Sequence, residues 1–207
     1  MTITAELRAK MDTYINEIIL FNSAYNLTNT SDHDELWTRH IEDSLAAVDE
    51  IAGLAEKILA ENPGEQIHIG DIGSGGGLPG IPLAAYFPQY KFTLVERMSK
   101  RCAFLENVAA ILGLSNVTVM NSEAEKVPSE SFHIATFRAF RPLDDKMTKT
   151  LLALTKTGGY LAAYKAKREN IVAEMDAIKA IVPEYEVKEL HVPGLEDSER
   201  NLGTVKK

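Results

Sequence analysis

The sequence predicts an α/β fold: a mixed seven-stranded sheet with helices on both faces, preceded by a helical N-terminal extension. Three observations predict it. From Gln66 onward, short apolar runs alternate with helical patterns, which is how a mostly parallel sheet covered on both faces is written in sequence. The last two apolar runs are separated by only a short polar stretch, VPGLEDSER. That is too short for a crossover, so those two strands form an antiparallel hairpin. The residues ahead of Gln66 read as helix, without repeats, low-complexity tracts or a linker.

Taken in order, the extension contributes helices over Ala5–Phe21 and Glu35–Leu59, joined by NSAYNLTNTSDHD. The expected division is therefore an extension over 1–60 packed on a main domain over 61–207. The strands are expected at Gln66–Ile72, Lys91–Glu96, Asn116–Met120, Phe132–Phe137, Gly159–Tyr164, Tyr185–Val192 and Asn201–Val205. Helices are expected at Pro79–Phe87, Ser99–Leu112, Leu143–Leu154 and Arg168–Ile181. Gly113, in LGLSN, can close its helix in the left-handed conformation.

A chain of 207 residues with 45% hydrophobic and 25% charged residues is long enough to bury one sizeable core and is ordinary for a soluble domain. The N-terminus MTITAELRAKMDTYINEIILF lacks the basic and apolar regions of a secretory signal, and no run reaches membrane-spanning length. The single cysteine, Cys102, excludes an internal disulfide and a Cys-rich zinc centre, and reads as a core thiol on a helix. A cytoplasmic protein with no membrane partner and no metal is expected. The net charge of −8 argues against non-specific coating of nucleic acid but permits a local basic face.

The glycines say what is bound. DIGSGGG ends the first strand, where a doubly wound sheet binds its ligand. A dinucleotide fingerprint would need a third glycine at position 78, where Leu78 stands; a phosphate loop would need Lys-Ser or Lys-Thr, which is missing. What remains is Asp71 followed by Gly73, Gly75 and Gly77, the pattern of enzymes that use S-adenosyl-L-methionine, whose tail and ribose lie against bare backbone. Asp71 can orient the loop or accept from the cofactor's ammonium. Glu96, ending the second strand, can accept the ribose hydroxyls. Backbone groups around Ala124 and Glu125, after the third strand, can read the adenine edge. After the fourth strand, ATFRAFRPLDD offers Arg138 and Arg141, forks suited to a carboxylate or a phosphate. Pro142 would open the following helix.

Three segments together carry a family resemblance: AYNLT…LWTRHIEDSLA (Ala24–Ala46), DIGSGGGLPGIPLA (Asp71–Ala84) and FRAFRPL (Phe137–Leu143). The chain resembles the RsmG (GidB) family, bacterial enzymes that methylate N7 of a guanine in 16S ribosomal RNA, over nearly its full length. The specific element is Arg39–Ser44 (R-H-x-x-D-S) combined with L-P-G-I-P at Leu78–Pro82. The resemblance implies a Rossmann-like class I methyltransferase fold. It also implies cofactor contacts at Gly73, Leu78, Ala124, Glu125 and Arg138, and 16S rRNA within the 30S subunit as partner. Departures are Glu96 where aspartate is common, and YKAKREN in place of a lysine-glycine pair. The final strand, NLGTVKK, is less apolar than usual, which leaves its pairing open.

N7 of guanine carries an in-plane lone pair and no proton, so the implied transfer needs positioning rather than a general base, and no catalytic acid or base is assigned. Candidate RNA contacts are Arg39, His40, Arg141, Lys165, Lys167, Arg168 and Arg200. Arg39 is divided between substrate contact and an ion pair with Glu42 or Asp43. His40 reads as structural rather than catalytic. A monomer is expected. The alternative is an S-adenosyl-L-methionine-dependent methyltransferase acting on another RNA or on a small molecule.

Overall fold

The structure, a computed structural model, describes residues 2–139 and 143–207. Its seven strands are β1 (His68–Ile72), β2 (Lys91–Glu96), β3 (Val117–Asn121), β4 (Phe132–Arg138), β5 (Thr155–Lys165), β6 (Glu186–Glu189) and β7 (Asn201–Lys206). They form one sheet in the order β3-β2-β1-β4-β5-β7-β6. The first five strands are parallel to one another. The connections reverse direction between β1 and β4, which opens a crevice beyond the carboxyl ends of those two strands.

Strand β7 forms the expected antiparallel hairpin with β6 and settles the pairing that its sequence left open. Its modest apolar content does not weaken its pairing: it runs antiparallel to both β5 and β6, inside the sheet. Its first polar residue is tolerated because the Asn201 side-chain amide donates to Ala166 O at 2.7 Å and to Glu199 Oε1 at 3.1 Å. The edge belongs instead to β6, four residues long and carrying Glu186, Lys188 and Glu189, short and charged as an unprotected edge should be. Strand β5 starts at Thr155 rather than Gly159, because a register shift between Phe132 and Ile134 lets Thr155 pair with Phe132.

Helices α1 (Ala5–Tyr25), α2 (His33–Leu36), α3 (Asp43–Leu45) and α4 (Val48–Glu61) precede the sheet; α5 (Gly80–Tyr86), α6 (Ser99–Ile111), α7 (Asp145–Leu154) and α8 (Arg168–Ala177) are interleaved with it. α1 begins at Thr4, whose hydroxyl accepts from Leu7 N. It buries Leu7, Met11, Tyr14, Ile15 and Ile18 at spacings of three and four, one apolar stripe. These side chains share one cluster with Leu45 and Ile51 of the other N-terminal helices, Leu83 of α5, Leu105 of α6, and Ile69 and Leu94 of the sheet. The opposite face packs Met147 and Leu151 of α7 and Ile171 and Met175 of α8 against Ile72, Val95 and Phe137. With both faces covered, β4 is buried along nearly its whole length.

The helix expected over Glu35–Leu59 is not continuous. A π-helical turn runs from Trp37 to Glu42, and the chain breaks again at Ala47 (φ −93°, ψ 6°) before α4. Wide turns of this kind gather at functional sites because they re-aim side chains. This one carries Arg39 and His40 and leads into buried Asp43 and Ser44.

Candidate active site

The glycine loop is built from the ends of β1 and β2. Gly73, Gly75 and Gly77 all have positive φ, at 71°, 59° and 96°, where an ordinary L residue costs about 1–2 kcal/mol. This conformation explains the alternating spacing. Two acids then fasten the loop. Asp71 Oδ2 accepts from the Ser74 hydroxyl at 2.6 Å and from Gly80 N at 3.0 Å. Glu96 Oε2 accepts from Gly75 N at 2.9 Å while its Oε1 accepts from Met98 N at 2.8 Å. Tyr14 of α1 donates its hydroxyl to Gly76 O, tying the extension to the loop. Burial raises the Asp71 carboxyl to about 6 against the pull of its hydrogen bonds, and among the described residues Oδ1 has no partner.

In front of the loop lies a cavity of about 530 Å³. A Cβ added at Gly75 would meet nothing closer than Gly73 O at 3.9 Å, so this stretch of backbone is bare. The facing wall is cationic. Arg138, at the end of β4, places Nη1 2.7 Å from Asp43 Oδ2 and Nη2 3.2 Å from His40 Nδ1. Arg200, just ahead of β7, places Nε 3.0 Å from Asp43 Oδ1. One buried carboxylate of the extension thus holds two arginines from the sheet. Tyr164 supports it from below by donating to Ser44 O at 3.0 Å. Burial and the neighbouring Arg138 lower the His40 pKa to about 4, so the ring is neutral near pH 7.

The cavity brings together Gly73, Gly75, Leu78, Arg39, His40, Arg138, Lys165 and Arg200 of the residues singled out from sequence. Asp71 and Glu96 are buried behind the loop as its anchors, and Gly77 is buried with them. Ala124 and Glu125 lie on a short 3-10 turn after β3, outside the cavity lining. Lys167 and Arg168 also lie outside it, exposed. Lys167 stands 3.5 Å from Glu169, so the basic run after β5 does not form one patch with the cavity. Lys165 is held by Glu174 at 2.8 Å. Arg39 pairs with Glu35 at 3.1 Å, not with Glu42 or Asp43, since the π turn sends Asp43 inward to the other two arginines. Arg141 and Pro142 lie outside the described residues. Arg101 was missed: it borders the cavity and donates to Asn26 O at 2.7 Å. The sequence signal was present in KRCAFLENV, immediately after the second strand.

Among the described residues no group of His, Cys, Asp and Glu side chains could hold a metal ion, and no helix is long and apolar enough to cross a membrane.

This sheet order, with a glycine loop and paired acids at the ends of β1 and β2, defines a class I methyltransferase fold. Solved structures share it: an S-adenosyl-L-methionine-dependent methyltransferase of Aquifex aeolicus (TM-score 0.53, 17% identity, covering 73% of this chain and 89% of that one), and the tRNA (m1A58) methyltransferase TrmI of the same organism (TM-score 0.55, 15% identity, 78% and 69%). The family model GidB, rRNA small subunit methyltransferase G, matches residues 7–203, and the chain belongs to this family. It is 39% identical to ribosomal RNA small subunit methyltransferase G of Treponema denticola, over 98% of this chain and 87% of the relative. To the protein of that name from Escherichia fergusonii it is 34% identical, over 100% and 92%. The chain is therefore a methyltransferase.

Proposed function

We propose that the chain transfers a methyl group from S-adenosyl-L-methionine to N7 of a guanine in 16S ribosomal RNA, acting as a cytoplasmic monomer on the 30S subunit. Family membership supports the reaction class. The observation that carries the reading is the cavity, which joins a bare glycine loop on one side to a cationic wall on the other.

The residues present fit the cofactor. The bare backbone at Gly75, with Gly73 and Leu78 beside it on the cavity wall, gives its tail a surface. The Arg138 guanidinium suits its carboxylate, and Asp71, buried behind the loop, acts by holding Ser74 and Gly80 in place. Glu96 accepts from Gly75 N of the loop through Oε2 and from Met98 N after β2 through Oε1, leaving acceptor capacity for ribose hydroxyls, with Ala124 and Glu125 beyond it on the adenine side. When bound, the cofactor supplies a methyl group activated by a sulfonium. The protein's share is orientation: Arg138 and Arg200, fixed by Asp43, place positive charge where phosphates or the base approach, and the extension over 1–60 closes the acceptor side of the main domain over 61–207. N7 has no proton to lose, so no side chain is given the role of general base.

The test is methylation of 30S particles from a strain lacking this activity, read by N7-specific cleavage and primer extension, with cofactor binding followed by calorimetry. One new guanine-specific stop is expected. Binding of cofactor with no stop in the 16S RNA would overturn the proposed substrate.

A further inference from the structure

His40 has one ring nitrogen that the fold uses and one that it does not. Nδ1 lies 3.2 Å from Nη2 of Arg138. A guanidinium has only N–H groups to offer, so Nδ1 accepts and the ring proton resides on Nε2. That Nε2 is buried and has no hydrogen-bond partner among the described residues. Buried donors without acceptors are rare, because the hydrogen bond to water has been given up and not replaced. The residue borders the cavity alongside Arg138 and Ala139, at the carboxyl end of β4, which is where a sheet of this kind presents its ligands.

A neutral N–H donor selects for an acceptor. Guanine offers two adjacent acceptors on one edge, N7 and O6, whereas adenine offers N7 beside a donating amine. We infer that His40 is a specificity-determining residue that donates its Nε2–H to O6 of the target purine, leaving the N7 lone pair free to take the methyl group. The inference rests on the proposed reaction and adds to it the means by which guanine is told from adenine. Adenine in the same pose sets its amine against the imidazole N–H, so two donors face each other and neither is satisfied. Because Nε2 is covered in this structure, the base reaches it through a local side-chain movement, a common accompaniment of binding.

The alternative is that His40 serves only to hold Arg138, and two near-isosteres separate the roles. His40→Asn keeps an acceptor near the Nδ1 position and removes the distal donor; His40→Gln keeps a donor near Nε2 and removes the acceptor facing Arg138. Single-turnover methylation is measured on 30S particles reconstituted with either guanosine or 2-aminopurine riboside at the target, the latter keeping N7 and lacking O6. The wild type is expected to slow about 10- to 100-fold without O6, the range for one buried donor left unpaired. His40→Asn should slow by a similar factor on guanosine and lose nothing more on 2-aminopurine, while His40→Gln stays within about 5-fold of wild type on guanosine, having kept that donor. Losses that multiply, or a His40→Asn enzyme as fast as wild type with His40→Gln impaired, would overturn the inference while leaving the reaction standing. A wild type that methylates no guanosine particle would overturn the reaction itself, and the inference with it.

Discussion

Arg138 sits where two demands on one guanidinium meet. Its bond to Asp43 is short and largely buried, the two side chains being 13% and 9% exposed, and breaking a buried pair by removing one partner costs about 3–5 kcal/mol. Asp43 keeps Arg200, so Arg138→Ala should fall at or below the lower end of that range, about 2–3 kcal/mol. If Arg138 also receives the cofactor's carboxylate, its loss weakens cofactor binding by about 1.5–3 kcal/mol, the worth of a hydrogen bond to a charged group. Urea unfolding and calorimetry on Arg138→Ala, Asp43→Asn and the double variant distinguish the two effects. The stability loss from Arg138→Ala should shrink in the Asp43→Asn background, where no buried carboxylate is left behind, while the affinity loss persists. Unchanged affinity in Arg138→Ala would make the arginine purely structural. The ion pair spans 95 positions of sequence. No local pattern could show it, although Arg138 and the R-H-x-x-D-S element were each legible as unusual.

At the level of elements, strands β1 and β4 join two histidines at the end of the sheet opposite the cavity. His133 Nδ1 accepts from His68 N at 2.9 Å, and His68 Nε2 lies 2.9 Å from the Thr93 hydroxyl. Burial, reinforced by the charges of His133, Lys91 and Lys156, lowers His68 to about 4. Burial also lowers His133, against the raising effect of Glu65, and His40 lies at about 4. Each folded pKa is below the unfolded value near 6.5, so the unfolded chain takes up these protons first as pH falls. The stability they contribute is fully present above pH 6.5 and is lost as pH falls below it, down to about 4 for His40 and His68. Asp71, raised to about 6, works in the opposite direction over most of that window. His40 and His68 together outweigh Asp71, so the balance predicts net uptake of on the order of one proton on unfolding near pH 5. Thermal unfolding between pH 7 and 4.5 should show a falling midpoint, and His68→Gln should flatten the slope. A midpoint independent of pH in that window would contradict the assignment. Elements themselves were the most legible level, since strand and helix periods survive any tertiary context. The π turn was not, because a single widened turn hardly alters the apolar spacing. Nor was the interior place of β7, which depends on hydrogen bonding to β5 and β6 more than on apolar side chains. The glycine loop was readable for a simple reason: three alternate positive φ values demand glycine, so the conformation is written in the residue type.

For the whole molecule the decisive quantity is charge and where it lies. A net charge of −8 repels naked RNA at long range, and screening confines any basic patch to about 8 Å at physiological salt. The sheet places Arg138, Arg200 and Lys165 at one cavity, but Asp43 and Glu174 already neutralise much of that wall. Arg39, also lining the cavity, stands beside Glu35, and outside it Lys167 stands beside Glu169. Among the described residues at the cavity few cations are left for phosphates, on the order of two or three, which implies a log–log salt slope of roughly −2 to −3 and weak non-specific affinity. Binding energy and selectivity must then come from the shape of a folded target that presents one unstacked base. Methylation should therefore be efficient on 30S particles and slow on protein-free 16S RNA, with the preference growing as salt rises from 50 to 200 mM. Parallel single-turnover rates on both substrates across that range provide the measurement. Equal rates at physiological salt, or a steep salt slope on the particle, would mean that phosphate contacts supply recognition and that the assembled subunit does not.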